Sequence, residues 1–223
     1  MGRRDVISGF RALIAKERFW DKLINRIENG KVLPVVGYGV TTMGEDDRLF
    51  SEWITEQLAE EFEFDDELPD NASLHDVVCK LIQREGSCSD AYDAIYHILK
   101  NHPEPGPTLK HLASIEPFRL FLSTTFDSLL EKAINQVQYP DTERGAHVIN
   151  YYPESENIDI PGRLNTLNQT TVFHMMGKAS PAPEYVVWED DVLEFVCELN
   201  KQLPEMRCLS ADLEDSKIHY LLL

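Results

Sequence analysis

Apolar residues at Val6, Phe10 and Leu13, then at Trp20, Leu23, Ile24 and Ile27, recur at spacings of three and four, with Lys and Arg between them. That period marks one face of a helix, and Asn29-Gly30 stops it. The pattern then changes at once. Residues 31–40, KVLPVVGYGV, form a short β-branched apolar run of the kind buried in a parallel sheet. Four helical patterns follow, LFSEWITEQLAEEF, SLHDVVCKLIQRE, DAYDAIYHILKN and PTLKHLASI, each bounded by Gly, Pro, Asn, Asp or Ser. They predict a helical insert after the first strand.

FRLFLSTT reads as a second buried strand, and FDSLLEKAINQV has helical period through Leu129, Leu130, Ala133, Ile134 and Val137. A strand at HVINYY, a Pro- and Asn-rich stretch to Asn168, and a strand at TVFHMM ending on Gly177 come next. EYVVWEDDVLEFVCELNKQL predicts an extended piece leading into a helix capped near Asp190 or Asp191, and KIHYLLL a last strand. Strands alternating with helices predict an α/β fold with a parallel sheet.

The chain has 223 residues, enough for its own hydrophobic core, and a net charge of −18. That charge repels phosphate backbones and anionic lipid headgroups, so direct nucleic-acid or membrane binding is not expected. The charge is also segmented. Eight basic and four acidic residues lie between Arg3 and Lys31, whereas twelve acids and one Arg lie between Glu45 and Asp70. The two segments read either as solvated surface or as halves of a subunit contact in a homo-oligomer, with Phe19 and Trp20 as apolar anchors. Cys79, Cys88, Cys197 and Cys208 form no CxxC pair, which argues against zinc and for a reduced compartment. With no signal peptide and no run of about 18 apolar residues, the expectation is a soluble, cytoplasmic protein.

In a parallel sheet, ligands sit at the carboxyl ends of the strands. Three segments qualify. Gly37-Tyr38-Gly39-Val40-Thr41 has two glycines that let backbone approach a phosphate, with a helix N-terminus expected behind them; a plain turn explains them equally. Ser123-Thr124-Thr125-Phe126-Asp127 offers hydroxyls and an Asp that either cap the following helix or bond a ribose or water. His174-Met175-Met176-Gly177 holds a histidine that is either a core residue or a catalyst. The remaining histidines show no ligand spacing, so no metal is expected.

Together and in this order the segments carry a resemblance. VVGYGVTT resembles the GAG-x-S loop, FLSTTFDSLLEKAI the TTN-Y-D-x-x-L-E segment, and VFHMMGKAS the strand ending in HG of the sirtuin-like domains of prokaryotic antiphage defence proteins. YVVWEDDVLEFV resembles the acidic helix start found downstream in that family. The resemblance covers about residues 30–223 and implies a Rossmann-like domain there, behind an N-terminal helical segment over 1–29. It implies binding of NAD or a related nucleotide by Gly37, Tyr38, Gly39, Thr41, Thr124, Asp127 and Gly177. Active members cleave nicotinamide from ribose, and many continue into a TIR domain, so a fused or partner TIR effector is implied too. The apolar run at Leu221-Leu222-Leu223 reads as a chain cut from a longer one.

The chain departs from the family at the catalytic positions. Thr125 stands where the family has Asn, and Met176 where it has His. Cleaving an N-glycosidic bond requires an oriented water or hydroxyl and a managed proton; Thr125 can hold a water, but a thioether exchanges no proton. Period-two alternation predicts His174 on the same side as Met176, one pleat earlier, as a substitute. The expectation is therefore a catalytically degenerate module, sensor or scaffold, with an active NAD glycohydrolase as the alternative.

Overall fold

Alternation of β-branched and amphipathic segments builds the layers. In the computed structural model, which describes residues 18–64, 67–69, 71–101, 103–182 and 184–223, a helix over 18–28 (α1) leads into β1 (Val32–Val36). Only the second half of the N-terminal helical pattern is therefore on view; Val6, Phe10 and Leu13 lie outside the described residues. A two-residue hairpin, β2 (Thr42–Met43) and β3 (Arg48–Leu49), precedes the helical insert. The insert comprises α2 (Phe50–Glu61), α3 (Leu74–Gln83), α4 (Cys88–Leu99) and α5 (Pro107–Ala113). Ser73 and Ser87 start α3 and α4 by capping boxes with Asp76 and Asp90, which satisfy orphan helix donors reciprocally. Then come β4 (Leu120–Ser123), α6 (Leu129–Gln138), β5 (His147–Asn150) and β6 (Thr171–His174). The chain continues through α7 (Glu189–Gln202), α8 (Arg207–Leu213) and β7 (His219–Leu222).

The five long strands form one parallel sheet in the order β5-β6-β4-β1-β7, flanked by helices in a Rossmann-like α/β arrangement. Side-chain alternation along each strand feeds two separate cores. Val32, Val36, Phe121 and Val172 pack on the front face with residues of α2 to α6. Leu33, Leu120, Leu122, Ile149 and Phe173 pack on the back with Phe195 and Leu199 of α7, Leu209 of α8, and Tyr151, Ile160 and Leu164. The chain leaves β4 toward the β5 edge and leaves β6 toward the β7 edge. The two connections cover opposite faces, α6 the front and α7 and α8 the back, and neighbouring strands that part in this way open a crevice outside their carboxyl ends.

Three details differ from the sequence expectation. No helix stands directly behind the glycine loop, because the β2–β3 hairpin intervenes and α2 begins only at Phe50. The cap of α7 is Trp188 rather than Asp190 or Asp191. Asp191 sits inside the first turn, and its carboxylate accepts from Trp188 Nε1 (2.8 Å), Val187 N (3.1 Å) and Tyr92 Oη (2.5 Å). The carboxylate thus reaches back rather than forward, which ties the helix start to α4. Finally, α8 was not legible in the helical periodicity; its N-terminal amides at Cys208 and Leu209 donate to Asp159, far away in sequence. Among the described residues, no helix is long and apolar enough to cross a membrane.

Candidate functional site

The parallel register places Ser123 opposite His174 and beside Val36, so the three strand-end segments meet on adjacent strands β1, β4 and β6. Gly37 donates its amide to Leu223 O (3.0 Å), and Thr41 Oγ1 donates to Gly37 O (2.8 Å). A Cβ on Gly37 would lie 3.2 Å from Thr124 Oγ1, so the glycine serves a close approach between strands. Thr124 donates both its amide (2.9 Å) and its hydroxyl (3.2 Å) to Val36 O. Tyr38 turns inward, stacked with Phe50 at 6.5 Å and edge-on to Phe126 at 6.2 Å, while Gly39 stands open. Burial first, and the charge of Asp127 second, push the Tyr38 phenol above its ordinary value.

Beneath this loop lies a buried polar cluster. His174 has no exposed surface. Its Nδ1 lies 3.2 Å from the carbonyl of Thr125, which only accepts, so Nδ1 carries the hydrogen. Nε2 lies 3.3 Å from Glu131 Oε2, within ion-pair range but off the hydrogen-bond direction, and both atoms are left without a hydrogen bond. The other Glu131 oxygen accepts from Lys178 Nζ. Burial pushes the Glu131 carboxyl up, but His174 and Lys178 outweigh it and hold it down to about 2.

Asp127 behaves oppositely. Its Oδ1 accepts from Leu129 N (2.8 Å), capping the first turn of α6, and its Oδ2 is buried without a partner. Burial raises its carboxyl above the usual range, against the bond from Leu129. A cavity of about 190 Å³ opens beside it, between Tyr96, Leu99 and Lys100 of the insert and Ser128 and Lys178. Among the described residues, no group of three His, Cys, Asp or Glu side chains is placed to hold a metal ion.

No protein-family model matches the chain, and no curated protein matches it either.

The structure brings Thr125, Asp127 and His174 together but separates Met176 from them. β6 ends at His174, so strand alternation does not carry on to Met176, which packs against the back core while His174 faces α6. The expected shared side is thereby corrected. Gly177 has φ +72°, and an added Cβ there would collide with Glu184 O and lie 2.8 Å from Tyr185 Cα, so it serves the bridge to Tyr185. Glu131 and Lys178 were not singled out from the sequence. The available signal was a carboxylate four residues after Asp127 on one helix face, among Leu130 and Ile134.

The glycine loop does not fit the diphosphate of a dinucleotide in the expected way. One amide is spent on Leu223, no helix N-terminus stands behind it, and the Tyr38 ring packs against Phe50 and Phe126.

Proposed function

We propose that this chain is a catalytically degenerate sirtuin-like module that holds NAD or a related nucleotide without cleaving it. It acts as a sensor or oligomerisation scaffold for a fused or partner effector, such as a TIR domain, in bacterial antiphage defence, within the cytoplasm. One observation carries the reading: His174, the residue that strand alternation offered in place of the family's histidine, has no exposed surface. A group sealed in this way is held in place by Thr125 and Glu131 and cannot meet a ribose hydroxyl without local opening.

A homo-oligomer is part of this reading. Phe19 and Trp20 on α1 are 59 % and 49 % exposed, edge to face at 5.4 Å, as apolar anchors of a contact would be. Light scattering on the full chain and on a Phe19→Ser/Trp20→Ser variant tests it: a monomer in both removes the scaffold role.

The second reading, an active NAD glycohydrolase, is favoured by two buried carboxylates with oppositely shifted acidities, Glu131 and Asp127, of which Asp127 lines the cavity, the arrangement that separates an acid from a base. Incubating purified protein with NAD and measuring free nicotinamide, with calorimetric binding alongside, separates the two. The degenerate module binds and releases no nicotinamide above background. Robust release that His174→Ala abolishes overturns it in favour of the enzyme.

A further inference from the structure

Each edge of a sheet leaves a row of backbone groups unpaired, and proteins blunt such edges with charge, proline, a bulge or a covering segment. At one edge of this sheet, β5 leaves none of its side chains exposed. β7, at the other edge, is not blunted in these ways. Residues 218–223, IHYLLL, hold no Asp, Glu, Lys, Arg or Pro in a chain with 27 % charged residues, and β7 pairs with β1 in unbroken register. His219 N donates to Lys31 O (2.9 Å) and Leu223 N to Val35 O (3.0 Å), so the alternation along a parallel strand turns the amides and carbonyls of Tyr220 and Leu222 away from β1. The same two residues carry side chains 47 % and 77 % exposed. Ile218, two residues before Tyr220, already gives its amide to Asp215 O (2.9 Å).

From this spacing we infer that β7 receives a second copy of this chain, its own β7 paired antiparallel across a two-fold axis at Leu221. The proposal rests on the homo-oligomer reading above and names its interface. In that register Tyr220 of each copy stands opposite Leu222 of the other, and the outward amides and carbonyls of both residues bond one another. Centring the axis on Tyr220 instead would bring Leu222 opposite Ile218, whose amide is spent. Cross-strand neighbours have Cβ atoms about 5 Å apart, so the tyrosine ring of each copy covers the exposed leucine of the other. The front side of the same edge supplies the rest. Lys31, which takes the His219 amide, closely follows α1, and Leu23 and Ile27 of α1 pack on the front core together with Leu221. Beside them α1 leaves Ile24 exposed along with Phe19 and Trp20. The axis sets the two α1 helices antiparallel, so that Arg18 meets the second copy's Glu28 and Asp21 the second copy's Arg26, opposite charges on exposed residues whose two pairings share one centre near Leu23. The exposed parts of Tyr220, Leu222, Phe19, Trp20 and Ile24 come to about 500 Å² per copy. Buried twice, that is about 1,000 Å², the least that a specific interface clears.

Sedimentation equilibrium of the full chain at micromolar concentrations tests the interface. Wild type is expected to dimerise. Tyr220→Lys or Leu222→Glu alone should weaken the dimer about tenfold or more, with circular dichroism near wild type because both side chains are exposed in the single copy. Tyr220→Lys/Leu222→Glu should recover much of that loss, since the introduced charges then face their opposites in the other copy, whereas Tyr220→Lys/Leu222→Lys should not. The two double variants lose the same side chains, so their difference reads the pairing and not the fold. A monomeric wild type overturns both this interface and the homo-oligomer reading. A dimer that survives both single substitutions but dissociates in Phe19→Ser/Trp20→Ser keeps the oligomer and overturns the β7 edge. Equal loss in the two double variants overturns the register at Leu221.

Discussion

Strands β4 and β6 show two different interiors on alternate residues. On the back they contribute Leu120, Leu122 and Phe173 to a core whose neighbours are apolar. On the front, one residue away, they contribute Ser123 and His174, which meet Thr125, Asp127 and Glu131 in a sealed polar cluster. The back interior stabilises through burial, which is insensitive to pH. The front places charge in a low-dielectric setting, so its contribution depends on which groups hold protons. Within the front cluster the same burial gives opposite outcomes: Glu131 has His174 and Lys178 to keep it ionised, and Asp127 has no ion-pairing cation among the described residues. The contrast shows that the partner, rather than the depth, decides the charge state.

The largest effect is expected on the back. Phe173→Ala leaves a cavity behind a fully buried ring and should cost about 3–5 kcal/mol in urea unfolding, equally at pH 5 and pH 7. A strong pH dependence of that loss would break the distinction between the two interiors.

Next is the acid limb of the front. A carboxyl whose acidity is strengthened on folding contributes stability that is present above its unfolded value of about 4.5 and is lost as pH falls through the folded value of about 2. Over that window wild type should lose about 3 kcal/mol through Glu131, since each pH unit separating the two values is worth about 1.4 kcal/mol. Thermal melts of Glu131→Gln should lack this component and start less stable at pH 7, because Lys178 loses its counter-charge. Parallel acid slopes in the two proteins would show that Glu131 is not the group responsible.

Gly177→Ala probes the turn that steers Met176 to the back and Lys178 to the front. The left-handed φ and the closeness of the Tyr185 backbone predict a loss of about 1–3 kcal/mol, read as a lowered melting temperature. A neutral result would mean that the bridge between Gly177 and Tyr185 is dispensable.

The smallest change is also the one of opposite sign. Asp127→Asn keeps an oxygen for the Leu129 amide and removes an ionisation that burial opposes. A carboxyl weakened on folding contributes stability that is present below its unfolded value and is lost as pH rises through the folded one. The variant should therefore melt higher than wild type at pH 7, and the gain should vanish below about pH 3.8. A lower melting temperature at pH 7 would show that Asp127 is held ionised and that the two carboxylates do not differ.

Local pattern was enough to locate the elements. The β-branched run before Gly37, the apolar FRLFLS and the helical period after Asp127 became β1, β4 and α6 because strand burial and helix amphipathicity are written in neighbouring residues. The strand-end rule then pointed to Gly37, Thr125, Asp127 and His174, whose segments stand at the carboxyl ends of three adjacent strands. Elsewhere the pattern misled, because the answer came from distant partners. Met176 was paired with His174 by alternation that stops with the strand, and the helix expected behind Gly39 gave way to a hairpin.

The order of polar and apolar positions by itself determined an α/β chain with a parallel sheet, a helical insert and three chemical segments at strand ends, since each of these depends on residues close in sequence. Tertiary structure alone decided which segments touch, that Leu223 takes the Gly37 amide, that Tyr38 packs against Phe50 and Phe126, and that Lys178 rather than solvent meets Glu131. Those outcomes depend on strand order and on burial by residues far away in the chain. Burial and charged neighbours, in turn, set whether a carboxyl keeps its proton.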